Sequence, residues 1–166
     1  MASGEIDPER AGEPPADPAE RVRALVERVV ETFDLEASVL VEESDEEIRA
    51  TVEGDELELL IGAQGETIDA LQYVASRAAF TQAGERKAVV IDAAGYRAER
   101  EAVLHDAADR AVAEALASGR PVELEPMSAP ERKIVHQYLG ERANVETYNE
   151  GQEPARRLVV TPAGPA

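Results

Sequence analysis

Ile61-Gly62-Ala63-Gln64-Gly65 sets two glycines three residues apart, with Thr67 just beyond them. Glycine adopts backbone angles closed to other residues and lets a second backbone approach closely. A helix starting after Gly65 would point free N–H groups and its positive dipole end at an anion. The run Ile61 to Gly65 with Thr67 is therefore a candidate loop for holding a nucleotide backbone. No Gly-Lys-Ser/Thr follows and the spacing is not GxGxxG, so it is neither a P-loop nor a dinucleotide fingerprint. The second set is Arg132-x-x-x-His136, where i and i+4 share a helix face. Arg forks a phosphate, and His stacks on a base or donates to phosphate when protonated. Arg156 and Arg157 extend the patch if their hairpin folds back beside that helix, although strand alternation sends neighbouring side chains to opposite faces and leaves one of the two in it. Arg97 and Arg100, three apart, are candidates for lining a groove between domains. On spacing alone, GxxG is also an ordinary turn and RxxxH an ordinary solvated helix face.

Catalytic sets are not evident. His105 and His136 fall in different predicted elements, and no nucleophile elbow frames any Ser. There is no Cys, which excludes disulfides, thiol nucleophiles and thiolate metal sites. The acidic run Glu42, Glu43, Asp45, Glu46 and Glu47 lacks EF-hand spacing and reads as a solvated turn. A binding module without cofactor or metal is the expectation, not an enzyme.

The elements that must position these residues follow from periodicity. Residues 1–18 are rich in Pro, Gly and acid, have no apolar period, and are expected to be a disordered tail. From Ala19, the residues Val22, Leu25, Val26, Val29, Val30 and Phe33 make one helical stripe. Ala37–Glu43 is a strand, and Ile48, Ala50 and Val52 alternating with polar residues make another, joined by a short polar turn. A short apolar segment, Leu57 to Ile61, leads into the GxxG. A long helix follows, with Ile68, Leu71, Ala75, Ala78 and Gln82 on one side and Gly84 as its stop; Lys87–Asp92 reads as a buried strand. A second unit starts at Gly95. It comprises a helix over Tyr96–Ser118, a strand over Val122–Leu124, and a helix opened by the capping box Ser128-Ala129-Pro130-Glu131. A hairpin of Val145–Tyr148 and Arg157–Thr161 closes it. The division is residues 19–94 and 95–162, in the α+β class.

Net charge is −18, which opposes nucleic-acid binding in its simplest form. The charge is uneven. Residues 21–95 hold 17 acidic and seven basic residues (−10), whereas residues 96–166 hold 12 and nine (−3). The last third is the better place for a local positive face. No apolar run approaches the roughly 20 residues of a membrane span, and no signal-peptide pattern opens the chain, so a cytoplasmic protein without membrane insertion is expected.

Leu60 to Ala78 (LIGAQGETIDALQYVASRA) resembles the KH core of the Jag family, also called KhpB-type or sporulation-insertase-associated proteins. Asp92 to Arg97 resembles that family's junction between domains. Val122 to Ser128 and Glu131 to His136 resemble its RxxxH (R-three-H) domain, and Gly151 to Pro154 with Arg156 and Arg157 its closing hairpin. The resemblance spans residues 20–162. It implies a type II KH domain (α-β-β-α-α-β) followed by a small α/β RxxxH domain, and single-stranded RNA binding. It further implies RNA-level regulation tied to cell envelope growth and division, with a small single-KH protein as heterodimer partner. Jag loops usually carry basic residues inside the GxxG, where this chain has Ala63 and Gln64, and the family's amino-terminal Jag-N domain is expected to be lacking. A protein-interaction adaptor, whose acidic surface binds a basic partner on the same scaffold, is the alternative.

Overall fold

The alternation of Ile48, Ala50 and Val52 with Arg49, Thr51 and Glu53 becomes strand β2 (Glu47–Gly54) in a computed structural model that describes residues 15–81, 84 and 86–164. Strand β2 is the centre of a three-stranded sheet. β1 (Ala37–Glu43) pairs with it antiparallel and β3 (Ala88–Ala93) pairs with it parallel. A parallel neighbour requires a crossover. That crossover is α2 (Glu58–Ile61), a 3-10 turn (Ala63–Gly65) and α3 (Glu66–Ala79). α1 (Pro18–Thr32) and α3 pack against each other and against the sheet. Val22, Val26 and Val30 of α1 are buried, as are Ile68, Leu71 and Ala75 of α3 and Ile48, Ala50, Val52 and Ile91 of the sheet. Burying one such aliphatic side chain contributes roughly 1.5–3 kcal/mol. Three from α1 hold in place a helix that would be marginal alone in water.

The chain divides into two compact units between Ala94 and Gly95. In the second unit, α4 (Tyr96–Ser118) and α5 (Ala129–Leu139) pack against an antiparallel sheet. Its order is β4 (Val122–Glu123), β6 (Arg157–Pro162), β5 (Val145–Glu150). The core joins Leu104, Ala108, Ala111 and Val112 of α4 with Val135 and Leu139 of α5, and with Leu158 and Val160 of β6. The expected capping box is formed: Ser128 Oγ accepts from Glu131 N at 3.4 Å, and Glu131 Oε2 accepts from Ser128 N at 3.3 Å.

Several boundaries differ from the sequence expectation for physical reasons. Residues 1–14 of the expected tail, and Gln82 of the α3 stripe, lie outside the described residues. α1 opens at Pro18, since proline suits a first helical turn. α3 ends at Ala79 and not near Gly84: Arg21 Nη1 donates to the Ala79 carbonyl at 2.8 Å, which satisfies that end of the helix without a further turn. β3 begins after Lys87, whose ammonium is held by Glu43 Oε1 at 2.6 Å and the Ser44 carbonyl at 2.8 Å. Leu124 lies outside β4, although its N–H donates to the Leu158 carbonyl at 2.9 Å. β5 runs on to Glu150 because Asn149 and Glu150 still find Leu158 and Arg157 opposite. Among the described residues no helix is long and apolar enough to cross a membrane.

Candidate nucleic-acid interface

The GxxG run reverses the chain between α2 and α3. Gly62 has φ +73°, and a Cβ built on it would fall 2.2 Å from Thr67 Oγ1. Thr67 therefore packs against the bare face of Gly62, and no side chain fits there. Gly65 has φ 80° and is buried at the start of α3. Between them Gln64 takes the left-handed conformation, φ 54°, unusual for a residue other than glycine. The turn is closed by Gly65 N donating to the Gly62 carbonyl at 3.2 Å. Ile61 is half-buried behind the loop, while Ala63 and Gln64 are exposed at its tip. The loop thus offers peptide groups and one neutral amide. It offers no cation, because no Lys or Arg occurs between Arg49 and Arg77, whereas Glu58 and Glu66 bracket it and are exposed. What it can do chemically is admit a nucleotide backbone closely and hydrogen-bond to it.

The RxxxH pair is split by the fold. His136 is exposed, with Nδ1 2.5 Å from Thr147 Oγ1 on β5. Arg132, expected on the same binding face, is buried instead. Its Nη1 donates to the Met127 carbonyl at 2.6 Å and to the Arg156 carbonyl at 3.4 Å, and its Nη2 meets Glu153 Oε1 at 2.5 Å. The guanidinium ties the lead-in to α5 to the β5–β6 loop. The physical reason is the position of α5. Val135 and Leu139 define its buried side, and Arg132, one turn before His136 but next to that side, is drawn under the hairpin.

The hairpin arginines also separate. Arg157 Nη1 pairs with Glu123 Oε2 on β4 at 2.7 Å. Arg156 is half-buried, and its Nε is buried without a hydrogen-bond partner. On α4, Arg100 Nε donates to Glu131 Oε1 at 2.6 Å, within the same unit. That carboxylate holds the Arg100 guanidinium above its ordinary range. Arg97 is half-buried near the start of α4.

Sequence reasoning passed over Lys133. It is exposed on α5, three residues before His136 and so on a neighbouring part of the same surface. Among the described residues no ion pair neutralises it, unlike Arg132 and Arg157. Its i, i+3 relation to His136 was the available signal. Among the described residues no group of three or more His, Asp or Glu is placed to hold a metal ion.

Comparison with known proteins adds family matches over both units. A KhpA/KhpB KH-domain family model matches residues 19–91, and an R-three-H domain model matches residues 102–162. The RNA-binding protein KhpB of Bacillus subtilis (strain 168) is 32% identical over 147 residues, covering 87% of this chain and 71% of the relative. The RNA-binding protein KhpB of Clostridium symbiosum is 30% identical over 139 residues, covering 82% of this chain and 63% of the relative. That of Lactiplantibacillus plantarum is 39% identical over 102 residues, covering 61% of this chain and 32% of the relative. The chain thus spans about a third to about seven-tenths of the length of these curated relatives.

Proposed function

The chain belongs to the KhpB family of RNA-binding proteins, and from that premise we propose that it binds single-stranded RNA without catalysis, through the Gly62–Gly65 loop and the outer surface of α5. The observation that carries this reading is the loop itself. Two glycines with positive φ hold Ala63 and Gln64 outward at the start of a 14-residue helix, with Thr67 closing the space behind Gly62. KH modules clamp about four nucleotides over such a loop. On α5, His136 and Lys133 are the groups offered to RNA. Arg132 positions the hairpin around them and does not meet phosphate, and Arg156 supplies the hairpin's contribution.

The charge pattern sets the character of the binding. A loop without Lys or Arg releases few counterions, so affinity is modest and its salt dependence shallow. The finer role we propose is cytoplasmic RNA-level regulation linked to cell envelope growth and division, with a small single-KH protein as heterodimer partner. The acidic surface is compatible with an adaptor role toward a basic protein, which the same experiment separates.

The test is Ala63→Asp with Gln64→Asp. Both side chains are exposed, so the fold is retained, and two carboxylates are placed where the phosphates pass. Titration of a ten-nucleotide single-stranded RNA at low salt is expected to show at least about tenfold weaker binding, the low end for one lost hydrogen bond to a charged group. Equal affinity of variant and parent would remove the loop from the RNA site and favour the adaptor reading.

A further inference from the structure

On the flank of α5 away from His136, a second set of flat side chains is assembled. The His105 ring of α4 lies on the Tyr138 ring of α5, with centroids 3.8 Å and planes 11° apart. The central carbon of the Arg142 guanidinium lies 5.0 Å over the same phenol ring. Tyr138 is thus the shared ring of a cluster of planar groups with His105 and Arg142.

Asp109 of α4 ties the cluster together. Its carboxylate accepts from the Tyr138 hydroxyl at 3.1 Å and from Arg142 Nη2 at 2.5 Å. The Arg142 guanidinium beside it holds the Asp109 carboxyl below its usual range. Glu101 lies 3.7 Å from His105 Nε2, so a carboxylate borders the imidazole. The Arg142 side chain remains 33% exposed.

The partly exposed Arg142 guanidinium is itself a planar surface held beside an aromatic ring. RNA-binding modules use aromatic and Arg planes in this way, and every base has a π-face to offer. The surface of α5 supplies the route. At about 100° per residue, exposed Lys133 and Gln137 lie between His136 and Tyr138 around the helix. A strand held at His136 crosses Lys133 to reach the cluster.

We propose that Arg142, beside Tyr138 and His105, is a base-stacking position of the second unit that takes a nucleobase of single-stranded RNA on its exposed part. The proposal rests on the RNA-binding reading above. Asp109 already neutralises the Arg142 charge, so the contribution is stacking and not counterion release. Loss of the position therefore weakens binding without changing the salt slope.

The experiment uses the full chain and a ten-nucleotide single-stranded RNA with 2-aminopurine placed at each position in turn. Affinity, salt slope and 2-aminopurine fluorescence are read for the parent, Arg142→Lys and Tyr138→Phe. Arg142→Lys keeps the pairing with Asp109 but removes the plane. It is expected to weaken binding by at least about fivefold, the low end for one stacked base, to leave the slope unchanged, and to lose the fluorescence change at one position. Tyr138→Phe keeps the ring but loses the hydroxyl's bond to Asp109, and is expected to weaken binding less than Arg142→Lys does. Parent-like affinity of Arg142→Lys overturns the proposal. So does an equal loss in Tyr138→Phe, since that would trace the effect to the hydroxyl's hold on Asp109. If the parent binds no RNA, the RNA reading falls and this proposal with it; if the parent binds and only Arg142→Lys fails to weaken it, this proposal alone falls.

Discussion

Arg132 Nη2 and Glu153 Oε1 meet at 2.5 Å, joining a guanidinium only 7% exposed to a carboxylate that is 57% exposed. The first named residue of the RxxxH motif is thus a brace between α5 and the β5–β6 loop. Its Nη1 donates to the Met127 and Arg156 carbonyls, so three of its bonds lie inside the unit. His136, four residues on, is the part of the motif that reaches solvent.

Arg132→Ala is expected to destabilise the protein by about 1–3 kcal/mol, the cost of leaving a buried hydrogen-bonding group without its partner. Glu153→Gln keeps a neutral acceptor on a largely exposed side chain and should cost less than about 1 kcal/mol. Urea unfolding followed by circular dichroism checks both. A larger loss for Glu153→Gln than for Arg132→Ala would show that the carbonyl contacts are not what matters.

Ala63→Lys with Gln64→Arg is expected to strengthen RNA binding and steepen its salt dependence. Each added phosphate contact changes the log–log slope by about 0.7 on a single strand. Titrations at three salt concentrations check it. An unchanged slope would place RNA elsewhere than at this loop.

Lys133→Ala is expected to flatten the slope by about 0.7, the share of one phosphate contact, whatever the RNA sequence. Because the side chain is exposed and unpaired among the described residues, stability should hold within about 0.5 kcal/mol. Measuring the slope on two unrelated RNA sequences checks both halves. A loss confined to one sequence would make Lys133 a base contact.

Asp109→Asn is expected to matter fully above about pH 4 and progressively less as pH falls further. The Arg142 guanidinium depresses the Asp109 carboxyl in the folded protein relative to its ordinary 3.8. A depressed carboxyl adds stability above its unfolded value, and that stability is lost as pH falls through the folded value. Melting temperatures of parent and variant between about pH 3 and 7 should therefore converge at the acid end. A gap that persists there would assign the effect to the hydrogen bond from Tyr138 and not to charge.

Much of this arrangement was legible in the residues. The step from the Ile48, Ala50, Val52 alternation to a strand with one wet face, and from Ser128 and Glu131 to a capped helix, uses only local periodicity and local hydrogen bonds, and both were formed as expected. The end of α3 was not legible, because it is set by Arg21, 58 residues away in sequence. The partners of the motif residues were equally hidden. Spacing showed that Arg132 and His136 lie one turn apart, yet Glu153 and Thr147, which separate a brace from a surface group, come from the hairpin.

The sequence by itself determined the order of elements, the two glycines of the loop and the acidity around it, because backbone propensity, periodicity and charge are written residue by residue. Only the tertiary structure decided which cations remain available. Arg100, Arg132, Arg142 and Arg157 each find a carboxylate, while Lys133 is left exposed on α5. Pairing depends on distances of a few ångströms between segments remote in sequence, and Coulomb attraction and desolvation act on those distances alone.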